Sequence, residues 1–106
     1  MPTNSVYSAT KAAIRSFART WTTDLKDHQI RVNAISPGGI DTEGFRELVG
    51  SDQVGKEQLK SLGSTVPMGR LGLPDEIAKA AVFLACDDGS YITLAELTVD
   101  GGFAQV

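Results

Sequence analysis

Tyr7 and Lys11 stand four residues apart near the start of the chain, in the run Ser5-Val-Tyr-Ser-Ala-Thr-Lys-Ala-Ala13. On a helix this spacing places a phenol and an ammonium on one face, one turn apart. A neighbouring cation favours the phenolate, so a group whose ordinary pKa is about 10 is drawn toward neutrality. A general acid/base that exchanges a proton with an alcohol or carbonyl needs that adjustment. Tyr-x-x-x-Lys also occurs in many helices as a solvated pair, so its weight depends on the elements around it.

Those elements read as an alternation of helix and strand. Ile14, Phe17, Ala18, Trp21 and Leu25 recur at three- and four-residue spacing and predict a helix from Val6 to Lys26, with Asn4 or Ser5 as its cap. A second face of small side chains, Ser5, Ala9, Ala12, Ala13 and Ser16, predicts close packing on two sides. Trp21 is expected in the core or in a subunit contact. Ile30-Arg-Val-Asn-Ala-Ile35 reads as a strand stopped by Ser36-Pro-Gly-Gly39. Residues 40–66 predict two short helical pieces, near 43–49 and 53–62, in a lid-like segment punctuated by glycines.

Residues 67–74 read as a structured turn around Arg70, which is expected to staple the loop rather than to touch substrate. Pro74 suits the first position of a helix, with Asp75 and Glu76 at its positive end and Gly89 closing it. Ile77, Ala80, Ala81 and Leu84 are its expected buried stripe. A short strand at 96–99 ends in Asp100-Gly-Gly102, with the Asp100 side chain expected to bond nearby backbone. Helix, strand, helix, strand predicts an α/β fold: one leading helix followed by a βαβ unit with a short parallel sheet.

Composition narrows the function classes. The chain has 106 residues and a formal charge of −3 with signs interspersed, which predicts one domain and argues against a nucleic-acid partner. Its single cysteine, Cys86, excludes an internal disulfide and is expected to be a small core residue. No apolar run approaches the ~18 residues of a membrane span, and the polar N-terminus lacks a signal peptide's apolar stretch. A cytoplasmic location is therefore the expectation. His28 has no metal-spaced partners and reads as an exposed connector residue, so no metal site is expected.

In order along the chain, Tyr7-Ser-Ala-Thr-Lys11, Ile30-Arg-Val-Asn-Ala-Ile-Ser-Pro-Gly38, Pro37-Gly-Gly-Ile-Asp-Thr42, Gly69-Arg-Leu-Gly-Leu-Pro74, Glu76-Ile77, Phe83-Leu-Ala85 and Val99-Asp-Gly-Gly102 resemble the C-terminal half of a short-chain dehydrogenase/reductase. The resemblance covers nearly all 106 residues. It implies a truncated Rossmann-like fold missing the N-terminal dinucleotide-binding half, and interconversion of a secondary alcohol and a ketone with NAD or NADP. It casts Tyr7 as the catalytic acid/base, and Lys11 as the residue that lowers its pKa and bonds the nicotinamide ribose. Pro37 and Gly38 fall at the backbone turn facing the nicotinamide, and Ile40 and Thr42 at its carboxamide and the neighbouring phosphate. Residues 43–66 correspond to the substrate-covering loop.

The pattern is also incomplete. The family's glycine-rich first turn, which seats the pyrophosphate at a helix N-terminus, has no counterpart, and Gly38, Gly39 and Gly44 do not reproduce its spacing. The expected catalytic serine would precede Met1, because Ser5 and Ser8 lie too close to Tyr7. Leu94 stands where the family commonly has glycine. Cofactor binding is therefore expected to be weak in this chain alone. The alternative is a catalytically incomplete module that self-associates, because a two-stranded sheet leaves an edge uncovered. A hydrolase built on Ser8 or Ser36 has little support, since no Gly-x-Ser-x-Gly elbow is present.

Overall fold

The computed structural model describes residues 2–105, with the side chains of residues 2–5, 7, 8 and 105 outside that description. Four helices, α1 (Pro2–Asp24), α2 (Glu43–Val49), α3 (Gln53–Ser64) and α4 (Pro74–Ala85), accompany two strands, β1 (Ala34–Pro37) and β2 (Glu96–Val99). Single 3-10 turns lie at Lys26–His28, Asp87–Gly89 and Phe103–Gln105. The strands form a two-stranded parallel sheet, so the chain is α/β, a truncated Rossmann-like arrangement.

Helix α1 begins four residues earlier than the periodicity predicts, because Pro2 suits the first helical position, where its missing N–H is not needed. Asn4 and Ser5 consequently lie inside the helix and do not cap it. The helix stops at Asp24, and Gln29, in the left-handed conformation at φ 57°, closes the following 3-10 turn. His28 is exposed there, as expected.

Two compact units divide the chain. The first comprises Met1–Ala34 and Leu84–Leu97. Within it Ala18 and Leu84 are buried, whereas Ile14, Phe17 and Trp21 remain about half exposed. Phe17 and Trp21 stack on one another, with centroids 5.3 Å apart, instead of entering a core. Ala9, Ala12, Ala13 and Ser16 are also exposed, so the small-residue face is uncovered and the apolar face is covered only around Ala18 and Leu25 among the described residues. Cys86 is half-buried and follows the end of α4, which stops at Ala85 and not at Gly89.

Residues 30–33 are not part of the strand, although their sequence predicts one. Backbone and side chains share the pairing there: the Leu94 N–H donates to the Val32 carbonyl at 2.9 Å, and the Val32 N–H donates to the Thr93 hydroxyl at 3.1 Å. The Asn33 amide donates to the Ile92 carbonyl at 3.0 Å and accepts from the Ala95 N–H at 3.0 Å. Arg31 donates to the carbonyls of Leu84 and Ile92, placing a cation at the negative end of α4. These bonds hold the 92–95 loop, in which Leu94 adopts φ 63°. The site of departure from the family pattern is thus a leucine in the left-handed region, which costs about 1–2 kcal/mol relative to glycine.

Ile35–Phe83 and Thr98–Val106 form the second unit. Helices α2 and α3 match their predicted positions, α3 running two residues further. Thr42 caps α2 by accepting from the Phe45 N–H, and Asp52 caps α3 by accepting from the Gly55 N–H. A Cβ at Gly55 would collide with the Gly50 carbonyl, so the crossing of α2 and α3 requires glycine there. Val66 is buried beneath this pair, while Leu48 and Val54 on its outer surface are exposed.

Candidate functional site

The C-terminal ends of β1 and β2 are where a parallel sheet presents ligands, and here they meet without spare room. The Gly38 N–H donates to the Val99 carbonyl at 3.0 Å. A Cβ on Gly38 would fall 2.5 Å from Asp100 Cβ and 2.7 Å from its Cα. The glycine therefore serves the approach of the two strand ends, a reason distinct from the close cofactor contact that the sequence suggests. Asp100 forms the turn expected of it: its carboxylate accepts from the N–H groups of Gly102 and Ala104 at 2.8 and 2.9 Å.

Beyond Pro37, the loop is pinned by backbone. Gly72 donates to the Gly39 carbonyl at 3.0 Å and accepts from the Asp41 N–H at 2.8 Å, making a parallel bridge opposite Ile40. Ile40 is half-buried, Thr42 is exposed, and Pro37 is exposed at the strand end. Thr42 uses one of its two acceptor lone pairs on the α2 cap, leaving its O–H and the second lone pair for other partners.

Two ion pairs brace this loop. Asp41 and Arg46 make a bidentate pair, both contacts 2.7 Å, and Arg46 holds the Asp41 carboxyl below its ordinary range. Arg70 grips Glu76 through contacts of 2.7 and 3.0 Å and also donates to the Leu71 carbonyl. Glu76 reaches back to accept from the Leu73 N–H at 3.0 Å, the reciprocal half of a capping box at the start of α4. The Arg70 hydrogen bonds, followed by that of Leu73, draw the Glu76 pKa down to about 2. Arg70 thus acts as the loop staple.

The sequence reading missed Glu76 as staple and cap, although Glu three residues after the residue preceding Pro74 is the capping spacing. It also missed Asp41–Arg46, whose five-residue separation is no standard helical pair, and the Asn33 clamp, which has no local signal.

Two cavities flank the Gly39–Ile40 wall. One, of about 420 Å³, is bordered by Arg70, Glu76, Asp100 and the glycines of the last turn. The other, of about 340 Å³, lies beneath α2 and α3 and has an apolar lining. Tyr7 and Lys11 occupy successive turns of α1, in the other unit. The Tyr7 side chain lies outside the described residues, and Lys11 is half-buried with an interaction of its own. Among the described residues no group of three His, Cys, Asp or Glu could hold a metal ion, and no helix is long and apolar enough to cross a membrane.

Comparison with known proteins agrees with this architecture. The family profile described as Enoyl-(Acyl carrier protein) reductase matches residues 1–104. The 3-oxoacyl-(acyl-carrier-protein) reductase FabG of Chlamydia trachomatis is 47% identical over 103 residues, which cover 97% of this chain and 39% of that protein. Oxidoreductase asL5 of Sarocladium schorii is 42% identical over 105 residues, covering 99% of this chain and 40% of that protein. The ligand-free aldohexose dehydrogenase of Thermoplasma acidophilum superposes with a TM-score of 0.85 at 34% identity, over 96% of this chain and 42% of that one. The chain therefore spans about two fifths of the length of these relatives. On this match along its length, the chain belongs to the short-chain dehydrogenase/reductase family of oxidoreductases.

Proposed function

We propose that the chain carries the proton-transfer pair and the nicotinamide end of an NAD(P)-dependent oxidoreductase that interconverts a secondary alcohol and a ketone. The observation that carries this reading is the Pro37–Thr42 loop, fixed at the carboxyl end of the parallel sheet by the Gly39–Gly72–Asp41 bonds and the Asp41–Arg46 pair. The residues present fit one end of the cofactor. Pro37, Gly38 and Ile40 would line the nicotinamide, Thr42 would offer its O–H, and Lys11 would bond the ribose. No glycine-rich turn for the pyrophosphate occurs in the sequence, so affinity for the whole dinucleotide is expected to be weak.

When bound, the nicotinamide supplies the hydride acceptor or donor. In the oxidation direction Tyr7 takes the hydroxyl proton of the alcohol at its phenolate oxygen. In reduction it returns that proton to the carbonyl oxygen. Lys11 keeps the phenol near its working pKa through its positive charge. The 43–66 segment, seated by the Thr42 and Asp52 caps, covers the substrate. Residues 1–106 are read as one half of a single such domain, acting in the cytoplasm.

A second reading rests on a separate observation. Ile14, Phe17, Trp21, Val82 and Phe83 stand about half or more exposed, which favours self-association of a catalytically incomplete module. Turnover of a ketone panel with NADH and NADPH separates the two. The oxidoreductase reading predicts activity that Tyr7→Phe lowers roughly 10²–10⁴-fold. Activity unchanged by Tyr7→Phe would refute the role given to Tyr7, and activity absent at all cofactor concentrations while the chain self-associates favours the incomplete module.

A further inference from the structure

We infer that the cavity beneath α2 and α3 binds the apolar body of the substrate, and that the substrates are neutral ketones or alcohols carrying a ring system of about bicyclic size. The inference rests on the proposed oxidoreductase reading and adds to it the class of molecule accepted. Ile40, Phe45, Leu62, Val66, Leu71 and Phe103 form the wall, and none of the lining residues is ionisable. The single hydroxyl there, on Thr65, already donates to the Leu62 carbonyl at 2.7 Å. A charged or polyhydroxylated ligand would lose the hydration of the face turned to this lining and find little there to replace it.

Volume sets the size. An apolar cavity of about 150 Å³ suffices to take up benzene, and this one measures about 340 Å³. Two fused rings fill such a space, whereas a short keto acid does not. Placement sets the role. One side of the cavity is Gly39 and Ile40, the residues immediately after the Pro37–Gly38 turn, so a ring held here lies next to the proposed nicotinamide loop. The nearby ion pairs do not contribute charge to the cavity. Arg46 is committed to Asp41, and Arg70 to Glu76.

The test uses the ¹⁵N-labelled full chain without cofactor, titrated with 1-tetralone and, separately, with pyruvate. 1-Tetralone is expected to shift the amides of Ile40, Phe45, Val66 and Leu71 saturably, with Kd on the order of 1 mM, and pyruvate to leave them unmoved. Leu62→Glu, at a position 42% exposed, places a carboxylate at the rim and is expected to weaken tetralone binding at least tenfold. Phe103→Glu serves the same purpose if Leu62→Glu loses its native spectrum. Tetralone shifts confined to Phe17 and Trp21, or equal response to pyruvate, would overturn the inference. A parallel NADH titration distinguishes the two levels. Tetralone binding in the cavity with no NADH shift at Gly38–Thr42 defeats the oxidoreductase reading and leaves the apolar site standing; the reverse defeats the site alone.

Discussion

Replacing Gly38 by alanine separates two reasons for a glycine at the end of β1. The added Cβ would lie 2.5 Å from Asp100 Cβ and 2.7 Å from Asp100 Cα. Neither is the far end of a flexible side chain, so the strand ends must part by about 1 Å. Overpacking of this kind costs roughly 1–3 kcal/mol. Parting the strands also stretches the 3.0 Å bond from Gly38 N–H to the Val99 carbonyl, adding about 1 kcal/mol. The expected loss is therefore about 2–4 kcal/mol, a large share of a small domain's stability. Asp100→Gly in the same chain removes the clash with the side chain but leaves the clash with the backbone and gives up the carboxylate's bonds to the Gly102 and Ala104 N–H groups, so rescue should be partial at most and is judged against Asp100→Gly alone. Urea unfolding followed by far-ultraviolet circular dichroism reads the change from the midpoint. Gly44→Ala is the internal control: nothing lies within 4 Å of its Cβ position, and alanine in α2 should stabilise by about 0.5–1 kcal/mol. Gly38→Ala matching the wild type within about 0.5 kcal/mol would refute the steric argument and return the glycine to a purely cofactor-facing role.

Three other outcomes follow from the geometry. Glu76 has its folded pKa lowered from 4.5 to about 2, so the stability it contributes is complete above its unfolded pKa and is lost as pH falls through the folded value. Acid titration should therefore show a loss between about pH 4.5 and 2 that is smaller in Glu76→Gln, with Asp41 supplying part of the remainder; identical acid profiles would contradict this. At Leu94, held at φ 63°, glycine should give a more stable chain than alanine by about 1 kcal/mol despite its greater unfolded-state freedom, as read from urea midpoints. Sedimentation at micromolar concentration should give a mass above the 11.2 kDa of one chain, because so much apolar surface is exposed; a clean monomer would contradict it.

Elements whose signals are local were legible in the sequence. Pro74 marks a helix start by its own chemistry and α4 begins there, and α2 and α3 begin at the predicted residues 43 and 53, with Thr42 and Asp52 as caps that the sequence reading did not name. Strand β2 likewise spans the predicted residues. Strand β1 does not, because residues 31–33 meet the 92–95 loop, some sixty positions away, mainly through the Arg31 and Asn33 side chains, with one backbone bond from Leu94 N–H to the Val32 carbonyl. No local pattern reveals that. The periodicity of α1 identified its apolar face correctly, yet Ile14, Phe17 and Trp21 are not buried; a hydrophobic stripe states a need for cover and not its supply. At the candidate site, Pro37, Gly38, Ile40 and Thr42 were legible as motif residues. The bracing pairs Asp41–Arg46 and Arg70–Glu76, which hold that loop, needed coordinates to be seen.

Backbone amides report most directly on whether this chain carries the nicotinamide end of a dehydrogenase site. Titration of the ¹⁵N-labelled chain with NADH and NADPH should produce saturable shifts at Gly38, Ile40 and Thr42, with Kd in the range of about 1 mM or weaker, and Lys11→Ala should weaken them. Unmoved Gly38, Ile40 and Thr42 amides at about 10 mM cofactor, or shifts confined to residues outside the 37–42 loop and α1, would contradict it.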